Sequence, residues 1–385
     1  MFESKGRATS WQGSSQERCV GVDVVLRVQE AAAEAFVSST EHGKTSDQLD
    51  VDAWLESVRA RVEPELVSAL ARLAERTRAK APAAEALVSE IGALTLRAGK
   101  RFRPALVFAG FSAISEADSS PITPAAVATE LLQTHLLIQD DWMDEDVERR
   151  GGPTAHIALR RSSASIHEAD SSAILASDLA LSEALWAISS VELPAPNVLA
   201  ATRALIGSLE DVVLGQYLDL KSAVGVTRVF DLKTTSYTVR GPLRVGAILA
   251  GATSEAVLAL DEYAVHLGFA FQLRDDLLGV FGDPQKTLKP VGADLVRNKR
   301  TSIVEAAESR LDDAGRTRLR SLLGSSKKVL EARDLLIEVG AKTAVEEELT
   351  RAAMRAKDAL VSAPLLPKAK DLLSGLATRL TRREV

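Results

Sequence analysis

Apolar residues recur every three or four positions over long stretches of this chain, most regularly in residues 87–96, 125–137 and 335–356, where Ala and Leu dominate. That spacing lines one face of an α-helix, and Ala and Leu are strong helix formers. Helical patterns follow one another from Asp52 onward, with breaks at Lys80-Ala81-Pro82, residues 116–124, residues 192–196 and Gly282-Asp283-Pro284. Each break carries proline, which lacks the amide donor that a helix interior needs. Before the apolar run at 125–137, Thr123 reads as a cap and Pro124 as the first helical residue. Length alone would allow two or three domains, but no break divides the body of the chain. The expectation is an all-α fold with one large helical domain at 49–385.

Residues 1–48 differ: they are polar and rich in small residues, apart from an apolar pattern at 20–37. They read as a partly disordered extension carrying one helix, because 20–28, short enough for a strand, runs on into Gln29-Glu30-Ala31-Ala32-Ala33-Glu34-Ala35. A formal net charge of −6 gives no electrostatic footprint for nucleic acid, so any anionic ligand must meet local basic clusters. The single cysteine, Cys19, excludes an intramolecular disulfide and a cysteine-rich metal site. With no apolar core of a signal peptide and no obvious uncharged membrane span, the expected location is the cytoplasm.

Candidate chemistry gathers where the apolar run 130–139 ends in Asp140-Asp141-Trp142-Met143-Asp144, followed by Arg149-Arg150-Gly151-Gly152-Pro153. If 127–146 is helical, Gln133, Leu137, Asp140 and Asp144 share one stripe, and the two aspartates lie one turn apart. Acidic residues at a helix end are usually just solvated, but here apolar turns crowd in before them. Carboxylates so placed suit a hard cation, and Mg2+ keeps most of its shell for water and substrate phosphate. Arg149 and Arg150 supply planar forks for that phosphate beside a Gly-Gly turn that permits close approach. A second pair, Asp275-Asp276, closes the run Phe269-Ala270-Phe271-Gln272-Leu273-Arg274. Upstream, Gly99-Lys100-Arg101-Phe102-Arg103-Pro104 is either a basic loop before a helix that starts at proline or a functional cation cluster.

In order and spacing these motifs resemble the trans-isoprenyl diphosphate synthases of the polyprenyl synthetase family, over about residues 51–385. The resemblance implies an isoprenoid-synthase helical bundle, a homodimer, whose active-site cavity lies between helices bearing two Asp-rich motifs. It implies condensation of isopentenyl diphosphate with an allylic diphosphate, with three Mg2+ ions at Asp140, Asp144 and Asp275, and with Asp141 and Asp276 in support. By resemblance Arg149 faces the allylic diphosphate and Arg150 the isopentenyl one, while Lys100, Arg101, Arg103 and Gln133 form the metal-free isopentenyl site. Lys233, Thr234 and Gln272 take the family's places for holding diphosphate and stabilising an allylic cation, backed by Gln216 and Asp219. Lys289 and Lys299 match its lysine-bearing loop. The terminal Arg382-Arg383 reads as a solvated tail.

Two departures stand out. Gly279 occupies the place of a third aspartate in the second motif, and Leu288 stands where the family commonly has glycine. Glycine inside a helix costs roughly 1 kcal/mol relative to alanine, so Gly279 is poor filler and makes room for something. Product length turns on residues below Asp140: helical geometry points to Leu136, family habit to His135. Neither is a large aromatic, which favours geranylgeranyl over farnesyl diphosphate as product. A terpene cyclase would not need Lys100, Arg103 and Gln133, and a non-catalytic subunit of a heteromeric synthase would not need an intact first motif with both arginines.

Overall fold

The computed structural model describes residues 50–97, 99–221, 229–283 and 292–382. All belong to one compact unit, Leu49–Val385; the other unit, Met1–Gln48, lies outside the described residues, and with it Cys19 and the expected N-terminal helix. The helices are α1 (Val51–Lys80), α2 (Glu85–Leu96), α3 (Phe102–Ser112), α4 (Thr123–Met143), α5 (Ala155–Leu159), α6 (Ile166–Ser189) and α7 (Ala195–Lys221). A π-helical segment, Phe230–Arg240, leads directly into α8 (Gly241–Leu249) and α9 (Ser254–Phe281). After these come α10 (Ala293–Val296), α11 (Ser302–Glu308), α12 (Asp313–Leu322), α13 (Val329–Glu338), α14 (Ala341–Val361) and α15 (Pro367–Arg382).

The helices begin where side chains can accept their first amide protons. Asp50 accepts from Asp52 and Ala53, and Ser165, Thr253, Thr301 and Asp312 cap α6, α9, α11 and α12 in the same way. For α4 the cap expected at Thr123 shifts by one residue: Ile122 occupies the boundary, Thr123 is helical, and Pro124 still sits in the first turn. The one piece of sheet among the described residues is a minimal hairpin, Glu148–Arg149 paired antiparallel with Gly152–Pro153.

Burial organises two cores on either side of α3 and α8. Leu106 and Leu243 join one core with α9 and α14, whereas Val107, Phe108 and Val245 join the other with α1, α4 and α6. Alternate faces of two short helices therefore tie the halves together. In α4, Leu131 and Ile138 are essentially sealed from water, each contributing about 2–3 kcal/mol. Such all-round burial fixes the C-terminal end of α4, where Asp140, Asp141 and Asp144 emerge.

The sequence reading found no membrane span, yet α6 is long and apolar enough to cross one by composition. In the fold this helix packs along α4, and 44% of its apolar window is buried.

Candidate active site

At the end of α4 the three aspartates have different surroundings. Asp140 Oδ1 lies 3.4 Å from Lys233 Nζ, and its Oδ2 lies 3.6 Å from Arg149 Nη2. Asp144 caps the helix and is largely exposed, but desolvation of its carboxyl and the neighbouring Asp140 raise its pKa, opposed by Lys233 and Lys299. Asp141 points inward instead. It is fully buried, its Oδ1 accepts from Arg149 Nε, and its Oδ2 has no hydrogen-bond partner among the described residues. Burial pushes its pKa up to about 6 despite the Arg149 charge.

Arg149 and Arg150 are delivered by the hairpin. Arg150 (φ 52°) and Gly151 (φ 72°) form its tip, the left-handed pair that a two-residue turn requires. Glycine adopts this freely, while Arg150 does so at a cost of roughly 1–2 kcal/mol. Arg97, which sequence reasoning missed, fastens the hairpin by donating to the carbonyls of Arg149 and Pro153, and Arg150 donates back to the Arg97 carbonyl. Asp146 was missed as well. It is buried, 3.6 Å from Arg149 Nη2, and holds Arg297 of the loop after α10 in a two-pronged pair at 2.6 and 3.1 Å. No local spacing joins Asp146 to Arg297 across 151 residues.

On the opposite side α9 carries the second pair. Asp275 is exposed, whereas Asp276 is buried and both of its oxygens are taken: Oδ1 accepts from Gln272 Nε2 at 2.9 Å, and Oδ2 accepts from the backbone N–H and Oγ of Ser302 at 2.7 Å. This corrects the expectation that Asp276 supports metal. Its carboxylate orients Gln272, whose Oε1 accepts from Thr234 Oγ1 at 2.7 Å, and burial raises its pKa to about 6.

The π-helical segment presents Lys233 toward α7, where Asp219 Oδ2 lies 2.7 Å from Nζ. A side chain at Gly215 would put its Cβ 2.5 Å from the Lys233 amide nitrogen, so glycine is what allows the two elements to touch. Gln216 reaches the Met143 sulfur at 4.0 Å, a weak contact with the end of α4. Lys299 is solvent-exposed by area. Against the cost of desolvation, Asp294, Asp140, Asp275 and Asp144 raise its pKa. Lys289 and Leu288 lie outside the described residues, as does Arg383.

The basic motif before α3 divides by direction. Arg101 adopts a left-handed backbone (φ 49°), which turns its side chain into the core, where Nε and Nη2 donate to Glu63 and Nη1 donates to Glu130. This corrects its assignment to substrate: a guanidinium 1% exposed, held by two carboxylates, is a structural member of the site. Arg103 lies 4.3 Å over the Tyr237 ring and donates to Thr238 Oγ1, leaving a buried Nε without a hydrogen-bond partner. Gln133 is also buried with an unpartnered Oε1. Lys100 is exposed. Burial lowers the pKa of Arg150, and Arg101, Arg103 and Arg149 lower it further against Glu130, a sign of how densely cations crowd here.

Below Asp140, the His135 imidazole is buried against α6, with Nδ1 3.0 Å from the Ser177 carbonyl and 2.7 Å from its Oγ. Leu136 is only partly buried, at the edge of the α4–α6 core.

Among the described residues no cluster of three or more carboxylate, histidine or cysteine side chains forms a ready cage for a metal. The donors instead come as the partly buried Asp140 and the exposed Asp144 and Asp275, on two helices, with Lys233 and Arg149 beside Asp140. That fits Mg2+, which takes one or two protein carboxylates and completes its shell with water and phosphate.

A family model for polyprenyl synthetase matches residues 85–338. A farnesyl diphosphate synthase from Mycobacterium tuberculosis is 36% identical over 261 residues, 66% of either chain. A geranylfarnesyl diphosphate synthase from Aeropyrum pernix is 34% identical over 302 residues, 74% of this chain and 90% of its own. Among solved structures, a geranylgeranyl pyrophosphate synthase from Corynebacterium glutamicum, complexed with isoprenyl diphosphate and magnesium, superposes with a TM-score of 0.76 at 31% identity, over 87% of this chain and all of its own. The chain belongs to the polyprenyl synthetase family, as a prenyltransferase of the short-chain isoprenyl diphosphate synthase type. Its relatives' names span three product lengths, so family membership leaves the product open.

Proposed function

We propose that this enzyme condenses isopentenyl diphosphate with an allylic diphosphate and releases mainly geranylgeranyl diphosphate, with farnesyl diphosphate as the shorter alternative. One observation carries the reading: the Arg149–Arg150 hairpin brings its two guanidinium groups to two unlike groups of side chains. On one side lie Asp140 and Asp144 with Lys233; on the other lie Arg103 and Gln133, each with a buried polar atom left unpartnered.

Asp140, Asp144 and Asp275 would hold Mg2+, three ions in the loaded site by family resemblance. When bound, the metal neutralises the departing diphosphate. Lys233, Lys299 and Arg149 hold that diphosphate as its bond to the allylic carbon breaks. Thr234 Oγ1 and Gln272 Oε1, fixed 2.7 Å apart through Asp276, turn oxygen dipoles toward the allylic cation. Arg103, Arg150, Lys100 and Gln133 hold isopentenyl diphosphate so that its C4 end attacks. The departing diphosphate takes the proton then lost, since His135 is engaged with Ser177. Exclusion of water from the closed site protects the cation.

Homodimerisation is supported by α7, whose Leu199, Ile206, Val213 and Leu220 are exposed at seven-residue intervals, the spacing of a helix–helix seam. Chromatography of products from isopentenyl diphosphate with dimethylallyl, geranyl or farnesyl diphosphate as primer tests the product assignment. A twenty-carbon product from all three supports it, and termination at fifteen carbons replaces it with the shorter alternative.

A further inference from the structure

The second acidic face looks one carboxylate short, since Gly279 follows Asp275 by four residues on the same side of α9. The space is occupied. A Cβ built on Gly279 would lie 2.0 Å from Oδ2 of Asp294 and 2.7 Å from its Cγ, closer than any real contact. A carboxylate therefore stands where a side chain at 279 would begin, but it arrives from α10 rather than α9. Gly292, at φ 61°, turns the chain into that short helix, and Asp294 is 7% exposed. One further observation ties Asp294 to the site: its backbone carbonyl accepts from the Lys299 amide at 2.9 Å.

We propose that Asp294 is the third carboxylate of the second acidic face, supplied through space in exchange for the residue missing at 279, and that its backbone carbonyl holds the Lys299 segment beside that face. The glycine and the aspartate then form one device. A larger residue at 279 would expel the Asp294 carboxylate, and loss of Asp294 would leave the second face with Asp275 alone, because Asp276 is spent on Gln272 and Ser302.

The proposal rests on the metal and diphosphate reading above, so its test separates the two. Mn2+ binding to the full chain in the presence of inorganic diphosphate is titrated by electron paramagnetic resonance for the wild type, Asp294→Asn, Gly279→Asp and the exchange Gly279→Asp/Asp294→Gly. Asp294→Asn keeps the shape of the side chain and removes its charge. It should weaken Mn2+ binding by about tenfold or more, the usual cost of losing a group that supports a metal site. Gly279→Asp alone should also weaken binding, whereas the exchange should bring it back to within about threefold of wild type. A role in packing alone predicts the opposite pattern: Asp294→Asn binds Mn2+ as the wild type does, and the exchange remains as defective as Gly279→Asp. Either result would overturn the proposal. Absence of diphosphate-dependent Mn2+ binding in the wild type would instead overturn the metal reading on which it stands, and the proposal with it.

Discussion

Replacing Arg101 by methionine should cost stability far more than substrate affinity. The guanidinium is 1% exposed and donates to Glu63 and Glu130, and Glu130 is itself nearly sealed from water. Methionine fills a similar volume but leaves the buried Glu130 carboxylate without its hydrogen-bonded counter-charge, whereas Glu63, 29% exposed, still has Arg59 at 3.6 Å. Removing one partner of a buried pair costs about 3–5 kcal/mol. A domain of this size unfolds with an entropy of roughly 0.7 kcal/mol per kelvin, so the melting temperature should fall by roughly 4–7 °C. Differential scanning calorimetry measures the shift. Adding Glu63→Gln and Glu130→Gln to Arg101→Met should recover most of it, because no charge is then stranded. Steady-state kinetics on the same proteins supplies the control, with a KM for isopentenyl diphosphate within about threefold of wild type. A fall of less than about 2 °C accompanied by a tenfold or larger rise in that KM would refute the structural assignment and make Arg101 a substrate contact.

Arg103→Ala should raise the KM for isopentenyl diphosphate at least tenfold while changing that for the allylic primer by no more than about twofold, since its buried Nε is not engaged by protein; equal rises would show the two anion sites misassigned. Leu136→Ala should lengthen the main product and Leu136→Phe shorten it, as read by chromatography at fixed primer ratio, whereas His135→Ala should chiefly cost stability because the imidazole is tied to Ser177. Burial holds the His135 pKa below its usual value, against the Ser177 carbonyl and Asp178. The unfolded chain therefore takes up a proton near pH 6.5 that the folded chain refuses until lower pH, so stability is complete above that pH and falls as pH drops from 7 toward 5. Urea unfolding should show this decline flattened in His135→Gln, and an undiminished slope would show that His135 does not carry it.

The helical architecture was legible because its signal is local: Ala and Leu at three- and four-residue spacing, and proline at the breaks. Asp140 and Asp144 were legible for the same reason, since one helical turn links them whatever surrounds the helix. Adjacent pairs were harder. Asp275 and Asp276 differ by about 100° around α9, so only one can face the other acidic helix, and Ser302, which claims Asp276, comes from α11. In the basic motif, the left-handed backbone at Arg101 sends inward a residue that composition alone assigns to the surface. Arg97, Asp146 and Arg297 had no motif to mark them, because each acts through a partner distant in sequence. Gly279 stood out as a departure, but its explanation lay fifteen residues on, in the carboxylate of Asp294.

The decisive measurement is release of inorganic diphosphate by the purified chain with Mg2+. Release should require isopentenyl diphosphate and an allylic diphosphate together, be abolished by EDTA, and fall by orders of magnitude in a folded Asp140→Ala variant. Diphosphate released at full rate from the allylic substrate alone would indicate a cyclase-like enzyme and contradict the assignment of Arg103 and Gln133, while near-normal release by Asp140→Ala would contradict the assignment of the first acidic face.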